Sequence, residues 1–201
     1  MTRRAAAAAL AVAVLLFAAL LPAALRLPLF FDSDSYFHLA VARLVHEGGT
    51  PRDLPWTRLS LLGPGYGDKE LLFHRALAPF AGTSERSGRI ALALFWASVG
   101  GAVAALGALA IGPWGALAPV LIAAGSAHVV HRLLPLRPEM GALLLLLLAT
   151  WGAGSGRRAV LGCAAFLLPL SWTGFLVLPA LAGLWFALEF ARTRRPAWWL
   201  L

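Results

Sequence analysis

The chain has 201 residues, 60% of them hydrophobic and 13% charged, with a formal net charge of +8. A soluble domain is about half apolar and about a quarter charged, so this composition excludes an ordinary soluble globule and predicts an all-α, polytopic membrane helix bundle. The positive excess does not point to nucleic acid: Arg3, Arg4, Arg132, Arg137, Arg157, Arg158, Arg192, Arg194 and Arg195 flank apolar runs, where cations mark topology.

Residues 5–25 are an almost unbroken Ala/Leu/Val run behind Arg3 and Arg4. A cleaved signal peptide has an apolar core of only about 7–15 residues. An uncleaved first span is therefore expected, with the N-terminus cytoplasmic and the following segment external. Residues 26–88 form the only long polar segment and hold seven of the nine acids, from Asp32 to Glu85. Asp32 or Ser33 can cap a helix running to about His46 and ending at Gly48-Gly49. Its face of Phe37, Ala40, Val41, Leu44 and Val45 is apolar at helical spacing. A Pro/Gly-rich irregular stretch follows over 50–67, with Trp56 and Tyr66 available to stack on a sugar ring or simply to pack. A second amphipathic helix is expected from Lys69 to about Ala78, capped by Asp68 and broken at Pro79.

The remainder, 90–201, reads as further spans: 90–111, a turn at Gly112-Pro113-Trp114-Gly115, and a return over 116–130. His131 to Pro138 is an external loop, and 139–153 crosses inward to Arg157-Arg158. Residues 159–191, with Glu189 as their only charge, are too long for one span and predict two short ones turning near Pro169 to Gly174. The chain ends in the apolar Trp198-Trp199-Leu200-Leu201, so 1–201 is expected to be a single transmembrane domain at the N-terminus of a longer protein. Cys163, the lone cysteine, excludes an intrachain disulfide and reads as a small buried hydrophobe.

This topology places Asp32, Asp34, Asp68, Glu70, Arg132, Arg137 and Glu139 on one external face. Asp34 is either a helix-end carboxylate or a base at the lipid–water boundary, with Asp32 two residues away as cap or second carboxylate. His38 lies one turn after Asp34 and can orient it or contact a phosphate. Glu70 and His74 repeat the acid and i+4 histidine spacing, and Lys69 offers a cation to an anionic headgroup. An acid/His₂ metal site is conceivable, although the spacing matches no strong metal pattern. Arg137-Pro138-Glu139 opens a span; Arg137 either marks topology or forks onto a phosphate, with Arg132 and His131 nearby. Trp172 fits an interfacial aromatic belt.

A first span followed by Asp32-Ser33-Asp34-Ser35-Tyr36-Phe37-His38 and a membrane bundle resembles the N-terminal part of GT-C superfamily glycosyltransferases. The likeness is to oligosaccharyltransferase catalytic subunits and related bacterial lipid-linked sugar transferases. In that group an Asp-x-Tyr/Trp-Phe/Tyr-Asn/His pattern carries the first catalytic acid, which Asp34 matches better than Asp32. Arg137-Pro138-Glu139 resembles their short external motif before the fourth span, with Glu139 alone where oligosaccharyltransferases carry an acid-x-acid motif. The resemblance implies inverting transfer of a sugar or glycan from a polyprenyl-(pyro)phosphate donor to a protein, lipid or glycan acceptor at the external face of a multi-pass protein of the cell membrane. It implies Asp34 and Asp32 as catalytic carboxylates, and His38, Lys69, Glu70, His74, Arg137 and Glu139 as substrate-binding residues. It further implies Mg²⁺ or Mn²⁺ held by Asp34 and Glu139. A reading of another class is a transporter or flippase-like protein with an acidic external binding loop. Transporters place charges within spans near the midplane, whereas these spans are almost charge-free.

Overall fold

The structure, a computed structural model, describes residues 3–26, 32–56, 65–82, 85–127, 131 and 134–193. Of the residues singled out above, Arg132, Arg194, Arg195 and Trp198-Trp199-Leu200-Leu201 lie outside these, as does the side chain of Glu189. Every regular element among the described residues is a helix.

Helix α1 spans Arg3–Arg26 and α2 spans Ser33–Gly48. The N-terminus of α2 is capped by Asp32, whose carboxylate accepts the Ser35 N–H at 2.7 Å. It ends at Gly49 with φ +83°, a left-handed conformation that only glycine adopts without strain. Helix α3 covers Leu71–Leu77 and continues as a 3-10 turn over Ala78–Phe80 that contains Pro79. The second loop helix is therefore shorter than the sequence suggests, and its cap position belongs to Glu70, not Asp68. The reason is that the Asp68 carboxylate is turned inward to a histidine.

Helix α4, Glu85–Ile111, begins earlier than expected because Glu85 sits in the first turn and binds Arg89 one turn on, at 2.9 Å. A 3-10 turn over Pro113–Leu117 then leads into α5, Ala118–Gly125. The return expected over 116–130 is interrupted at Ser126, with Ala127 and His131 again helical and 128–130 outside the described residues. Gly125 and an extended Ser126 stop α5, both poor residues for a helix interior. Helices α6 (Pro138–Gly154), α7 (Arg158–Ser171) and α8 (Val177–Thr193) complete the order, with α7 and α8 separated near Pro169–Gly174 as the length argument required.

Two helical segments, Ala6–Arg26 and Glu85–Ile111, are long and apolar enough to cross a membrane. They pack on each other through small residues: a Cβ on Gly101 would lie 2.9 Å from the Ala13 Cβ and 3.3 Å from the Ala9 carbonyl oxygen. Farther along α4, the Gly107 backbone approaches that of Gly115 so closely that neither position has room for a side chain. Large apolar side chains on α1, α5, α7 and α8 point outward, among them Leu15, Leu121, Phe166 and Leu188. Cys163 is exposed on this outer surface, not buried, and lines a groove with Leu145, Leu148 and Leu167.

The closed core lies elsewhere. Ala42 of α2, Phe73 and Leu77 of α3, Ala91 and Leu92 of α4, and Leu136 and Met140 at the start of α6 form one buried cluster. Tyr36, Leu39, Phe80, Phe95 and Trp96 cover it. The buried Ser35 hydroxyl accepts the Leu136 N–H at 2.9 Å, joining α2 to the segment before α6 across 101 positions of sequence. This join sets the acid-bearing end of α2 against Arg137.

Candidate functional site

Two clusters of polar side chains sit on this core. The first is built where the N-terminus of α2 meets the N-terminus of α6. Arg137 stands at the cap position of α6, with the extended backbone that Pro138 favours in its predecessor. Its Nη2 donates to Asp34 Oδ2 at 3.0 Å, and its Nε lies 3.6 Å from Asp32 Oδ2, beyond hydrogen-bond distance. The Asp32 Oδ2 and Arg137 Nε atoms are buried without a hydrogen-bond partner, while the Asp34 side chain is 55% exposed. Asp32 thus serves as helix cap and as background charge. Asp34 is the solvent-accessible carboxylate of the two.

Arg137 also borders a cavity of about 510 Å³. Its polar rim is Arg137, Glu139 and His131; its floor is Met140, Ala142, Leu143 and Leu146, with Pro135 and Trp172 at the sides. Positions 139, 142, 143 and 146 follow the i, i+3, i+4, i+7 spacing of one α6 face, so the cavity runs from charged to apolar along a single helix. Trp172, expected in an interfacial belt, contributes a wall here.

The second cluster joins α2 to α3. His74 is fully buried and its Nδ1–H donates to Asp68, at 2.8 Å to Oδ1 and 2.9 Å to Oδ2. An ionised carboxylate only accepts, which fixes this proton on Nδ1 and leaves Nε2 with a lone pair. His38 Nδ1–H donates to that Nε2 at 2.9 Å. Asp68 also accepts the Glu70 N–H at 3.0 Å and the Tyr66 hydroxyl at 3.4 Å. Phe37 and Phe73 lie edge-on to His38, with ring centres at 5.5 and 5.3 Å. Glu70 Oε2 is 3.7 Å from His38 Nδ1.

Burial, reinforced by His74 and Arg137, pushes the His38 imidazole down to about 3, so it is neutral at physiological pH. Burial also opposes ionisation of Asp68, but its bonds from His74, the Glu70 N–H and the Tyr66 hydroxyl outweigh this and hold the carboxyl below its usual range. Glu70 is raised, chiefly by burial, partly offset by the neighbouring His74 ring and increased by repulsion from Asp68 and Glu139. Burial and Asp68 likewise push the Tyr66 hydroxyl up.

The structure therefore joins the sequence-predicted residues differently from their spacing. His38 does not orient Asp34 through the i+4 step; it faces His74, 36 positions away, while Asp34 faces Arg137. His74 pairs with Asp68 rather than Glu70, because Glu70 lies outside α3 with non-helical φ −125° and ψ 32°. Tyr66 is turned to Asp68 and away from any stacking role, whereas Trp56 remains exposed. Lys69 is exposed beside Glu70, and Glu139 is exposed at the cavity rim. Among the described residues, the donor atoms that converge to hold a metal ion belong to His38, Glu70 and His74, all within 4.8 Å of one another. Asp34 and Glu139, the pair that the resemblance assigns to a metal, are not in that group. Sequence reasoning missed the structural tie of Ser35 and the inward role of Asp68. The Asp68-x₅-His74 spacing was the one available signal for the latter. No protein-family model, curated protein or solved structure matches the chain.

Proposed function

We propose that the protein is a polytopic membrane glycosyltransferase that moves a sugar or glycan from a polyprenyl-(pyro)phosphate donor to an acceptor on the external face. The observation that carries this reading is Arg137, which lines a cavity with an apolar floor and is paired with the exposed Asp34 carboxylate beside it. A lipid-borne phosphate needs a guanidinium beside a greasy channel, and Arg137 above Leu143 and Leu146 supplies both. In the reaction, an acceptor hydroxyl or amide attacks the anomeric carbon as the bond to the phosphate oxygen breaks. Asp34 takes the acceptor proton, and Arg137 offsets the charge gathering on the leaving phosphate. Attack from the face opposite the leaving group gives inversion. The two long apolar helices and the outward-facing large hydrophobics of α5, α7 and α8 support a multi-pass arrangement in lipid. In that arrangement the α2–α3 layer sits at the external boundary.

The test is transfer of labelled sugar in proteoliposomes supplied with polyprenyl-phosphate sugars and extracts containing acceptors. Asp34→Asn should lower turnover about 100-fold or more while the protein still folds. Full turnover by Asp34→Asn would remove the carboxylate from the chemistry. Loss of sugar-lipid translocation in place of transfer would favour the flippase reading.

A further inference from the structure

We propose that His38, Glu70 and His74 bind a first-row transition-metal dication of the Zn²⁺ type, with Asp68 as the outer carboxylate that orients His74. This site is separate from the Asp34–Arg137 pair and does not depend on the transferase reading. Three features of the cluster point to an ion and not only to a hydrogen-bonded histidine pair.

The first is the tautomer of His74. Asp68 receives the Nδ1–H through both carboxylate oxygens, an arrangement that leaves Nε2 free and raises its basicity. Metal-binding histidines are oriented by a carboxylate in this way. His38 needs only to carry its proton on Nε2 for its Nδ1 to face the same point, so binding changes a tautomer without stripping a proton from a charged group.

The second is distance. Two ligand atoms each about 2.1 Å from a shared ion lie about 3.0–3.4 Å apart for angles between octahedral and tetrahedral. The His38 Nδ1–His74 Nε2 separation is 2.9 Å and the His38 Nδ1–Glu70 Oε2 separation is 3.7 Å. Shifts of a few tenths of an ångström bring both into range. The third is charge and access. Phe37 and Phe73 lie edge-on to His38, and the carboxylates of Glu70 beside it and of Asp68 behind His74 supply the negative charge that a dication needs. The Glu70 side chain, 20% exposed against 8% for His38, forms the open side.

Two imidazoles with one carboxylate favour Zn²⁺ or Co²⁺ over Mg²⁺, which prefers oxygen ligands and keeps its water. Such an ion would clip α2 to α3, closing the loop between His38 and His74 and steadying the helix that presents Asp34.

The experiment uses the untagged full chain in detergent, first stripped with chelator and then titrated with Co²⁺, Zn²⁺ and Mg²⁺. The expected result is a single tight Co²⁺ per chain with a visible absorption band, displaced by Zn²⁺, and a thermal midpoint raised by Zn²⁺ but not by Mg²⁺. Glu70→Gln and Asp68→Asn should each weaken Co²⁺ binding, the latter about 10–100-fold, while Asp34→Asn leaves it unchanged. Wild-type protein that takes up no Co²⁺ overturns the proposal without recourse to any variant. So does stoichiometric uptake that Glu70→Gln and His74→Gln leave intact.

Discussion

The layer formed by α2, α3 and the first turn of α6 and the long apolar helices around it are held together by different physics. In the first, a buried cluster is pinned by specific polar bonds across long stretches of chain: Ser35 to Leu136, His38 to His74 and Asp34 to Arg137. In the first two pairs, a buried donor or acceptor left alone would cost more than the bond contributes, so they select one register. In the second, α1 and α4 touch through glycine and alanine, and their outward faces are apolar side chains left without protein partners. In the proposed membrane arrangement lipid completes that surface, and shape rather than polarity sets the contacts. The part of the protein that holds charges in place is therefore built like a soluble core, and the long apolar part is built from backbone proximity.

The largest effect that would break this contrast is at Gly107. Any side chain there meets the Gly115 backbone, which cannot rotate away as a side chain would, so α4 and the following turn must separate. Gly107→Val should cost about 3 kcal/mol, at the upper end of overpacking penalties, seen as a lower thermal midpoint in detergent. Co²⁺ uptake at the His38–Glu70–His74 group should survive below that midpoint. Simultaneous loss of uptake and folding at all temperatures would mean that the two regions form one cooperative unit.

A smaller change sharpens the polar side of the contrast. Ser35→Ala leaves the Leu136 N–H buried and unpaired, with an expected loss of about 1–3 kcal/mol in equilibrium unfolding. Ser33→Ala, at an exposed position one helical step from the cap, is the matched control and should move stability little. Equal effects from both would show that the long-range bond does not hold α2 in place.

Much of the architecture was legible because its causes are local. Asp32 as cap, the stop at Gly48-Gly49, the turn at Pro113 and the break between α7 and α8 all follow from backbone preferences of a few residues. The pairing of the site was not legible. Repeated acid-x₃-histidine spacing suggested Asp34 with His38 and Glu70 with His74, as a helix surface would arrange them. Packing of Phe73 and Leu77 beneath α2 instead turns His74 toward His38, and the choice among acids then falls to whichever reaches the buried ring. Asp68 does so because α3 begins only at Leu71, leaving the preceding residues free to fold back. That contact depends on tertiary packing and leaves no periodic trace in sequence. The return over 116–130 differs from the expectation at one point: Ser126 is extended and ends α5 at Gly125, although Ala127 and His131 are again helical, an interruption that apolar composition does not reveal.

The most direct test of the central claim, that Arg137 and the cavity beneath it receive a lipid-borne phosphate, is binding of polyprenyl phosphate without sugar, measured by native mass spectrometry on wild type and Arg137→Gln. Saturable binding by wild type, weakened at least about 10-fold in Arg137→Gln by loss of a charge-assisted contact, is the predicted result. Equal binding by the two proteins, or saturable binding by neither, would contradict it.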